Sequence, residues 1–457
     1  MSFEQQVTAF RDSLRGPSFR PGDPGYDAAR TIPNAMINRR PAVIARCAGA
    51  ADVVACVQFA REHDLRVSVR GGGHSVAGKS VCEGGLMIDL SAMKGLRVDP
   101  VERTARAEPG LTLGEFDRET QAFGLATPLG TISKTGISGL TLGGGYGHLH
   151  AKHGLALDNV LSLDVVLADG RLVTATPTQN PDLYWGVRGS GGNLGVVTSL
   201  LYRLHEVGPV LGGGVFFPIA QARDVLRFLR DFTANLPDEL TVMALALTHP
   251  EAGPVFGVGV CYSGSHTEGE KVLKPLRAFG KPVADVVMPM PLVAVQSMFD
   301  SFFPPGRQVF VKSSFMDELT DSAIEMLAEY AASRPSPLVF APAIEHWHGA
   351  TTRIRPTDTA FPHRTHPFNF FAWSTWVDPA ETDLHIRWTR QFWDDMKPHL
   401  ASGSYVNYIS DEEDGTARAA FGPNYERLAT LKNRYDPTNL FRMNHNVQPQ
   451  KPPAGVQ

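Results

Sequence analysis

The chain lacks several features that would each settle its class. No apolar run is long enough to cross a bilayer as a helix, so no membrane association is expected. There is no basic surplus. Lys and Arg number 43 against 47 Asp and Glu, a net charge of -4, which argues against a nucleic-acid binder. Cysteine is scarce, at 4 residues: Cys47, Cys56, Cys82 and Cys261 form no CxxC pair and no metal-ligand spacing. A chain of 457 residues needs no disulfide framework, so buried free thiols are expected. The stretch Met1 to Arg15 is polar and has no apolar core of a secretory signal, which makes a cytoplasmic protein the expectation. The length exceeds one ordinary core and implies two domains.

Glycine is present in excess, at 44 residues, and it is clustered at Gly71 to Gly73, Gly143 to Gly147 and Gly186 to Gly195. Local clusters of this kind bring backbone close to a ligand. The surrounding pattern is α+β. A helix is predicted over Ala51 to Asp64, then a strand over Leu65 to Val69 that runs into Arg70-Gly71-Gly72-Gly73-His74-Ser75. Gly85 to Leu90 reads as a further strand. Leu96 to Val98 and Arg103 to Ala107 read as a hairpin, and Thr112 with Glu115 forms a capping box for a helix to about Phe123. Ser162 to Ala168 and Arg171 to Thr176, joined by Asp169-Gly170, form a second hairpin.

After His205 the glycine clusters thin out. Helices are predicted over Ala222 to Asn235, Glu268 to Phe279, Thr320 to Ser333 and Asp383 to Leu400, and strands over Leu240 to Leu247, Val255 to Tyr262, Leu338 to His346 and Pro367 to Val377. Their alternation suits an antiparallel sheet with helices on one face. On these strands Glu345 shares a face with Trp347, and Phe368 and Phe370 alternate with Asn369 and Phe371. That pattern fits an aromatic pocket or an ordinary sheet core equally well. A last helix, Tyr425 to Tyr435, is ended by Asp436-Pro437.

Three glycines after a strand expose a row of N–H groups suited to a pyrophosphate, and the histidine that follows is a nucleophile when neutral. Taken alone, Gly71 to His74 reads as readily as a tight turn. Two more loops change the balance: Pro128-Leu129-Gly130-Thr131 through Gly136-Ile137-Ser138-Gly139 to Gly147, and Arg188 to Gly195. One large cofactor with a diphosphate accounts for all three. A Rossmann site does not, because Leu194 stands where the dinucleotide fingerprint needs glycine. His148, His150 and His153 match no metal spacing, and no metal is expected.

Residues 30 to 207 resemble the FAD-binding domain of the vanillyl-alcohol-oxidase superfamily (PCMH-type), and within it the berberine-bridge-enzyme-like oxidoreductases. The resemblance is carried by Arg70 to Ser75, Gly136 to Gly139, Gly143 to Gly147, Asp158-Asn159-Val160 and Gly191 to Gly195. In the tail it is carried by Tyr405-Val-Asn-Tyr408, Asn424-Tyr425 and Phe441 to Pro449. It implies an α+β fold with a two-part FAD-binding domain over 1–207 (core about 37–207). It also implies a substrate domain over 208–404, an antiparallel sheet covered by helices, and a segment 405–457 that returns to the first domain.

The resemblance further implies FAD bonded through its 8α-methyl carbon to His74. Around the cofactor it places Arg70, Gly71, Gly72, Gly73, Ser75, Pro128, Leu129, Gly130, Gly136, Ser138, Gly139, Gly143, Gly144, Gly147, Gly195, Val197, Asn444 and Asn446. Many relatives add a second link from a cysteine two residues after the glycine matching Gly130. Ile132 stands there, so one covalent link is expected. Tyr405, Asn407 and Tyr408 match a segment that reaches the flavin. Either tyrosine is a candidate base, and packing at a domain interface is the alternative.

The activity implied is oxidation of a C–H next to oxygen or nitrogen of a small molecule, with dioxygen reduced to hydrogen peroxide. The single link and the aromatic middle favour an alkaloid, an amine or a secondary metabolite over an oligosaccharide. A dehydrogenase with another acceptor and a non-catalytic flavin-containing ligand-binding protein are the rival readings. The sequence leaves the oligomeric state open.

Overall fold

Strands whose residues are buried on both faces belong in a covered parallel sheet. In the computed structural model, which describes residues 2–411 and 416–450, Val43–Arg46, Leu86–Asp89 and Val67–Arg70 pair in parallel in that order. Residue 1 of the expected first domain, and residues 412–415 and 451–457 of the expected C-terminal segment, lie outside the described residues. Ser18–Phe19 adds an antiparallel edge. Helix Ala50–Glu62 seats Val53, Cys56, Val57 and Ala60 in this core, where Cys47 and Cys56 are free thiols with sulfurs 3.9 Å apart.

A second sheet is antiparallel throughout, in the order Leu96–Asp99, Thr104–Ala107, Val196–Arg203, Val160–Val166, Leu172–Ala175. Helix Leu113–Gln121 covers it and starts as its sequence requires. The Thr112 hydroxyl accepts from Glu115 N, and the Glu115 carboxylate accepts from Thr112 N. Helix Tyr425–Tyr435 in the tail packs Leu428 and Leu431 into the same core as Trp185 and Val187.

Leu125–Ala126 and His205–Glu206 form a two-stranded pair, and the largest sheet has 8 antiparallel strands. Its main path runs Ala284–Asp285, Val210–Pro218, Gly253–Tyr262, Leu240–His249, Phe340–His346, Phe368–Trp376, Gln308–Met316, and Met288–Met290 also pairs with Val210–Pro218. Period-two alternation divides its side chains. Val242, Ala244, Ile344, Phe370 and Ala372 pack under helices Ala222–Thr233, Asp321–Ala332 and Thr382–Met396. Met243, Leu245, Glu345, Phe371 and Trp373 point the other way, into a cavity.

Four of these strands were not anticipated: the short Ala284–Asp285 and Met288–Met290, and the long Val210–Pro218 and Gln308–Met316. Val210–Pro218 contains Gly212-Gly213-Gly214, a run with little strand propensity. Here it lets neighbours pass: a Cβ on Gly213 would fall 2.3 Å from Val286 O, and one on Gly212 2.4 Å from Val295 Cγ2. In Gln308–Met316 the polar Ser313 and Ser314 interrupt the pattern, but their partners are in the tail. Ser314 Oγ donates to Ala401 O and Gly403 O, and Ser404 Oγ donates to Ser313 O. Among the described residues no helix is long and apolar enough to cross a membrane.

A buried ion pair ties distant parts of the chain together. Both terminal nitrogens of Arg364 donate to the Asp158 carboxylate, each at 2.8 Å, and both side chains are almost fully covered. Removing one partner leaves a buried charge unpaired. Arg364→Met is therefore expected to destabilise the fold by about 3–5 kcal/mol, read as an earlier first unfolding transition in urea, with Asp158→Asn added to it restoring part of the loss.

Candidate active site

The loop after Val67–Arg70 is built on a charge pair. Arg70 donates through Nε and Nη2 to Asp89 and through Nη1 to Thr31 O, and Arg46 donates to the same carboxylate. Burial works to raise the Asp89 carboxyl, but the two guanidinium groups hold it below its ordinary value. Arg70 thus anchors the loop with its side chain turned away from the main cavity.

Three glycines then pass where no side chain fits. A Cβ on Gly71 would lie 2.4 Å from Ser138 Oγ, which itself donates to Pro109 O. A Cβ on Gly72 would lie 2.4 Å from Gly136 N, and one on Gly136 2.3 Å from Gly72 N. Gly73 sits at φ +74°, a left-handed conformation that glycine adopts freely, and the chain turns His74 onto the cavity wall.

The cavity encloses about 280 Å³. One side comes from the glycine loops and the tail: Gly71 to Ser75, Gly130 to Ile132, Gly136, Gly139, Gly191, Asn444 and His445. The other side comes from the large sheet and a loop beside it: Met243, Leu245, Phe299, Phe303, Phe340, Glu345, Phe371 and Trp373. Tyr146, Asn407 and Tyr408 also line the cavity, as do Lys79 and Ser80. Burial pulls the imidazoles of His74 and His445 down to about 4, so both are neutral at pH 7. The Ser80 hydroxyl and Asn444 Oδ1 line this space region as buried polar atoms with no hydrogen-bond partner among the described residues. Unpaired polar atoms beside side-chain-free backbone suit a polar, phosphate-bearing cofactor such as FAD.

The residues expected from sequence divide into two groups. His74, Gly71, Gly72, Gly73, Ser75, Gly130, Gly136, Gly139, Asn407, Tyr408 and Asn444 line the cavity. The others stand behind it. Gly143 and Gly144 are glycines because the tail presses on them: a Cβ would lie 2.1 Å from Asn407 Oδ1 and 2.8 Å from Tyr405 Cε2 respectively. Gly147 backs onto the carbonyls of Leu129 and Gly130, which holds the Pro128-Leu129-Gly130 turn in place. Gly195 makes room for Val165, and Val197 is buried in its strand. Asn446 Oδ1 is buried without a partner among the described residues, and Ser138 supports Gly71 from below.

Tyr405 is a strut. Its hydroxyl accepts from Gly145 N at 2.8 Å, Tyr146 N at 3.1 Å and Asn407 Nδ2 at 3.0 Å, and burial pushes it up to about 12. The expectation that either tyrosine serves as base is thereby narrowed, since only Tyr408 meets the cavity. Tyr408 donates to Glu345 Oε1 at 2.8 Å. Asn369 Nδ2 donates to Glu345 Oε2 at 2.8 Å, and Trp347 Nε1 reaches the same oxygen at 3.4 Å. Burial raises the Glu345 carboxyl to about 7 against the opposing pull of these donors. His148 and His150 are buried, the His150 ring centroid 4.4 Å from that of Tyr146. Among the described residues no three His, Cys, Asp or Glu side chains are grouped to hold a metal ion.

Sequence reasoning did not single out Phe299, Phe303, Phe340 or His445. Phe340 lies within a strand that was expected, so its alternation offered a signal. Phe299 and Phe303 lie in and around a short turn with no periodicity to read.

Comparison with known proteins agrees with this geometry. Residues 41–176 match the FAD binding domain family, and residues 404–448 match the family described as berberine and berberine like. An FAD-linked oxidoreductase of Dictyostelium discoideum is 32% identical over 454 residues, covering 97% of each chain. The crystal structure of 6-hydroxy-D-nicotine oxidase from Arthrobacter nicotinovorans superposes with a TM-score of 0.89 at 28% identity, covering 96% of this chain and 99% of that one. A carbohydrate oxidase from Microdochium nivale gives a TM-score of 0.86 at 25% identity, covering 97% of this chain and 100% of that one.

The glycine contact carries a direct test. Gly136→Ala must force the two loops apart, so the purified variant is expected to carry at most a small fraction of the wild-type flavin absorbance per protein. The equivalent change at the exposed Gly208, where a Cβ meets nothing within 4 Å, is expected to leave flavin content unchanged.

Proposed function

The chain belongs to the berberine-bridge-enzyme-like family of FAD-linked oxidoreductases, and from that premise we propose that it is an oxidase of small apolar amines that carries FAD on His74. The observation that carries the substrate reading is the Tyr408–Glu345 pair set in an aromatic wall of Phe299, Phe303, Phe340, Phe371 and Trp373. FAD would be held by the Gly71 to Ser75 loop, Gly136, Gly139, Ser80 and Asn444, with His74 as its point of covalent attachment. Ile132, in place of a cysteine, leaves a single link. Bound FAD supplies the hydride acceptor and the route of both electrons to dioxygen, released as hydrogen peroxide.

The residues of this chain do the rest. The aromatic side chains exclude water and offer flat apolar surface to a ring-bearing substrate. Glu345 puts one carboxylate into that wall and favours a protonated amine. Tyr408, already donating to Glu345, takes the ammonium proton as its own passes to the carboxylate. The freed nitrogen lone pair then promotes hydride loss from the adjacent carbon. One relative of this fold is named for a hydroxylated nicotine, which agrees with an amine reading. An oligosaccharide would find few hydrogen-bonding side chains on a wall dominated by Met243, Leu245 and five aromatic residues.

Three measurements test this. Acid-denatured wild-type protein is expected to keep flavin fluorescence in its gel band, and His74→Ala to lose it; fluorescence that survives in His74→Ala would overturn the attachment. Peroxide release is expected with cyclic aryl amines and not with oligosaccharides, and the reverse pattern would overturn the substrate class. Glu345 must be ionised to accept the proton, and burial has raised its carboxyl to about 7. Turnover should therefore fall as pH drops through about 7. Glu345→Gln should remove that limb and lower kcat by about 10²–10⁴-fold. A Glu345→Gln variant with the wild-type pH profile would assign the base elsewhere.

A further inference from the structure

The aromatic wall is closed by a segment that the glycine-loop side of the molecule grips at both ends. Toward its C-terminal end, Ala35 N donates to Arg307 O at 2.9 Å and Gly306 N to Pro33 O at 3.3 Å. Asn34 exchanges two hydrogen bonds with the backbone of Val309, each at 3.0 Å. Toward its N-terminal end, the Asp300 carboxylate accepts from Ser133 N at 2.9 Å and from Ser133 Oγ through its other oxygen. Ser133 directly follows Thr131 and Ile132, which line the cavity with His74, and Phe299 beside Asp300 lines it too. The large sheet's own segment thus delivers a fixed carboxylate to the neighbourhood of the histidine.

We propose that Asp300 is a positioning residue for the covalent attachment of FAD to His74, stabilising the positive charge that the imidazole gains as its nitrogen bonds to the flavin. The proposal rests on His74 being the attachment residue. In the attachment, a C–H bond of the 8α-methyl group and the imidazole N–H are lost and one C–N bond forms. Both hydrogens and the electron pair remain on the flavin, which is thereby reduced. Dioxygen then takes two electrons and two protons and leaves as hydrogen peroxide. Once one ring nitrogen is alkylated, and until the other gives up its N–H proton, the imidazole is a cation in a buried setting, and such a charge is costly without a counter-charge.

The electrostatics of the site agree in sign. Burial is the main force pulling the His74 imidazole down to about 4. Of the two charged groups acting on it, Asp300 favours the cation and Lys134 opposes it. Because Asp300 comes from the segment that closes the aromatic wall, attachment would also require that wall to be in place.

The experiment uses full-length protein from riboflavin-starved cells, mixed with FAD, with acid-stable flavin fluorescence followed over time. Asp300→Asn is expected to bind FAD but to attach it at least about 100-fold more slowly, the scale of losing one preorganised electrostatic group, with Asp300→Glu restoring most of the rate. The pH profile of attachment separates this role from simple support. Loss of the carboxylate should move the acid limb to lower pH, because the imidazole then binds its proton less well. Loosened packing would hydrate His74 and move the limb upward, toward the ordinary imidazole value of about 6.5. Attachment by Asp300→Asn at the wild-type rate, or an upward shift of its limb, overturns the proposal. If Asp300→Asn does not fold, Ser133→Ala, which removes the hydroxyl tether to the carboxylate and leaves only the one from Ser133 N, is expected to slow attachment, and a wild-type rate in that variant overturns the proposal. Wild-type protein that binds FAD yet never holds it through acid overturns both this role and the His74 reading; normal wild-type attachment with an unaffected Asp300→Asn overturns the role of Asp300 alone.

Discussion

Gly72 and Gly136 approach each other backbone to backbone, with no room for a Cβ on either, and the cavity is organised around that contact. The loop carrying Gly72 is held from behind by Arg70 on Asp89. The loop carrying Gly136 is held by backbone bonds, with Leu113 N donating to Thr135 O and Ile137 N to Leu111 O. Each loop is therefore fixed by its own scaffold before the two meet, and the meeting leaves a strip of bare backbone beside His74. A side chain in either place would separate the loops and fill the strip at once. Neither position therefore admits a side chain, whereas a flanking helix such as Leu113–Gln121 needs only an apolar face.

Glu345 poses the opposite problem, a charge where the wall is otherwise apolar. Taking a carboxylate out of water is costly unless hydrogen bonds compensate. Tyr408, Asn369 and Trp347 supply those bonds, from the tail, the neighbouring strand and the residue two positions on. The compensation is partial, so the carboxyl is left near 7 rather than in the usual carboxylate range. A group that changes charge near neutral pH is well matched to receiving a proton and giving it up again. The strand register makes the placement definite: Glu345 pairs with Met243 on one side and Asn369 on the other, so its polar partner and its apolar neighbour are both set by backbone pairing.

Much of this was legible in the sequence, and the parts that were not have physical reasons. Gly71 to His74 after a strand, the Thr112–Glu115 capping box and the Asp169-Gly170 hairpin are local signals, and local structure follows them. Glycine is ambiguous beyond that. Gly72 is bare because the Gly136 backbone passes close by and Gly71 because Ser138 does, Gly143 and Gly144 because Asn407 and Tyr405 lean on them from the tail, and Gly212 and Gly213 because a strand must slip past Val295 and Val286. One residue type thus answers to three different neighbours, each distant in sequence. Alternation on the strand showed that Glu345 and His346 face opposite ways, but which face meets a cavity depends on where the helices pack. The difference between Tyr405 and Tyr408 was out of reach for the same reason, since the partners of both lie far off in the chain.

That difference follows from a single turn. Val406–Tyr408 is a short 3₁₀ turn, and it splits its flanking tyrosines between the two halves of the molecule. Tyr405 reaches back to the amides of Gly145 and Tyr146, Asn407 donates to Leu140 O, and Tyr408 reaches forward to Glu345 on the large sheet. The hydroxyl that meets the cavity is therefore located relative to the glycine loops by three residues of continuous chain, and only secondarily by the sheet. The aromatic residues Phe340, Phe371 and Trp373 have no such tie to the glycine loops. Substitutions among them can reshape the aromatic wall while the Tyr408 hydroxyl keeps its place beside the glycine-lined side, a physical route by which one scaffold of this kind can accommodate relatives named for substrates as different as an alkaloid and a carbohydrate.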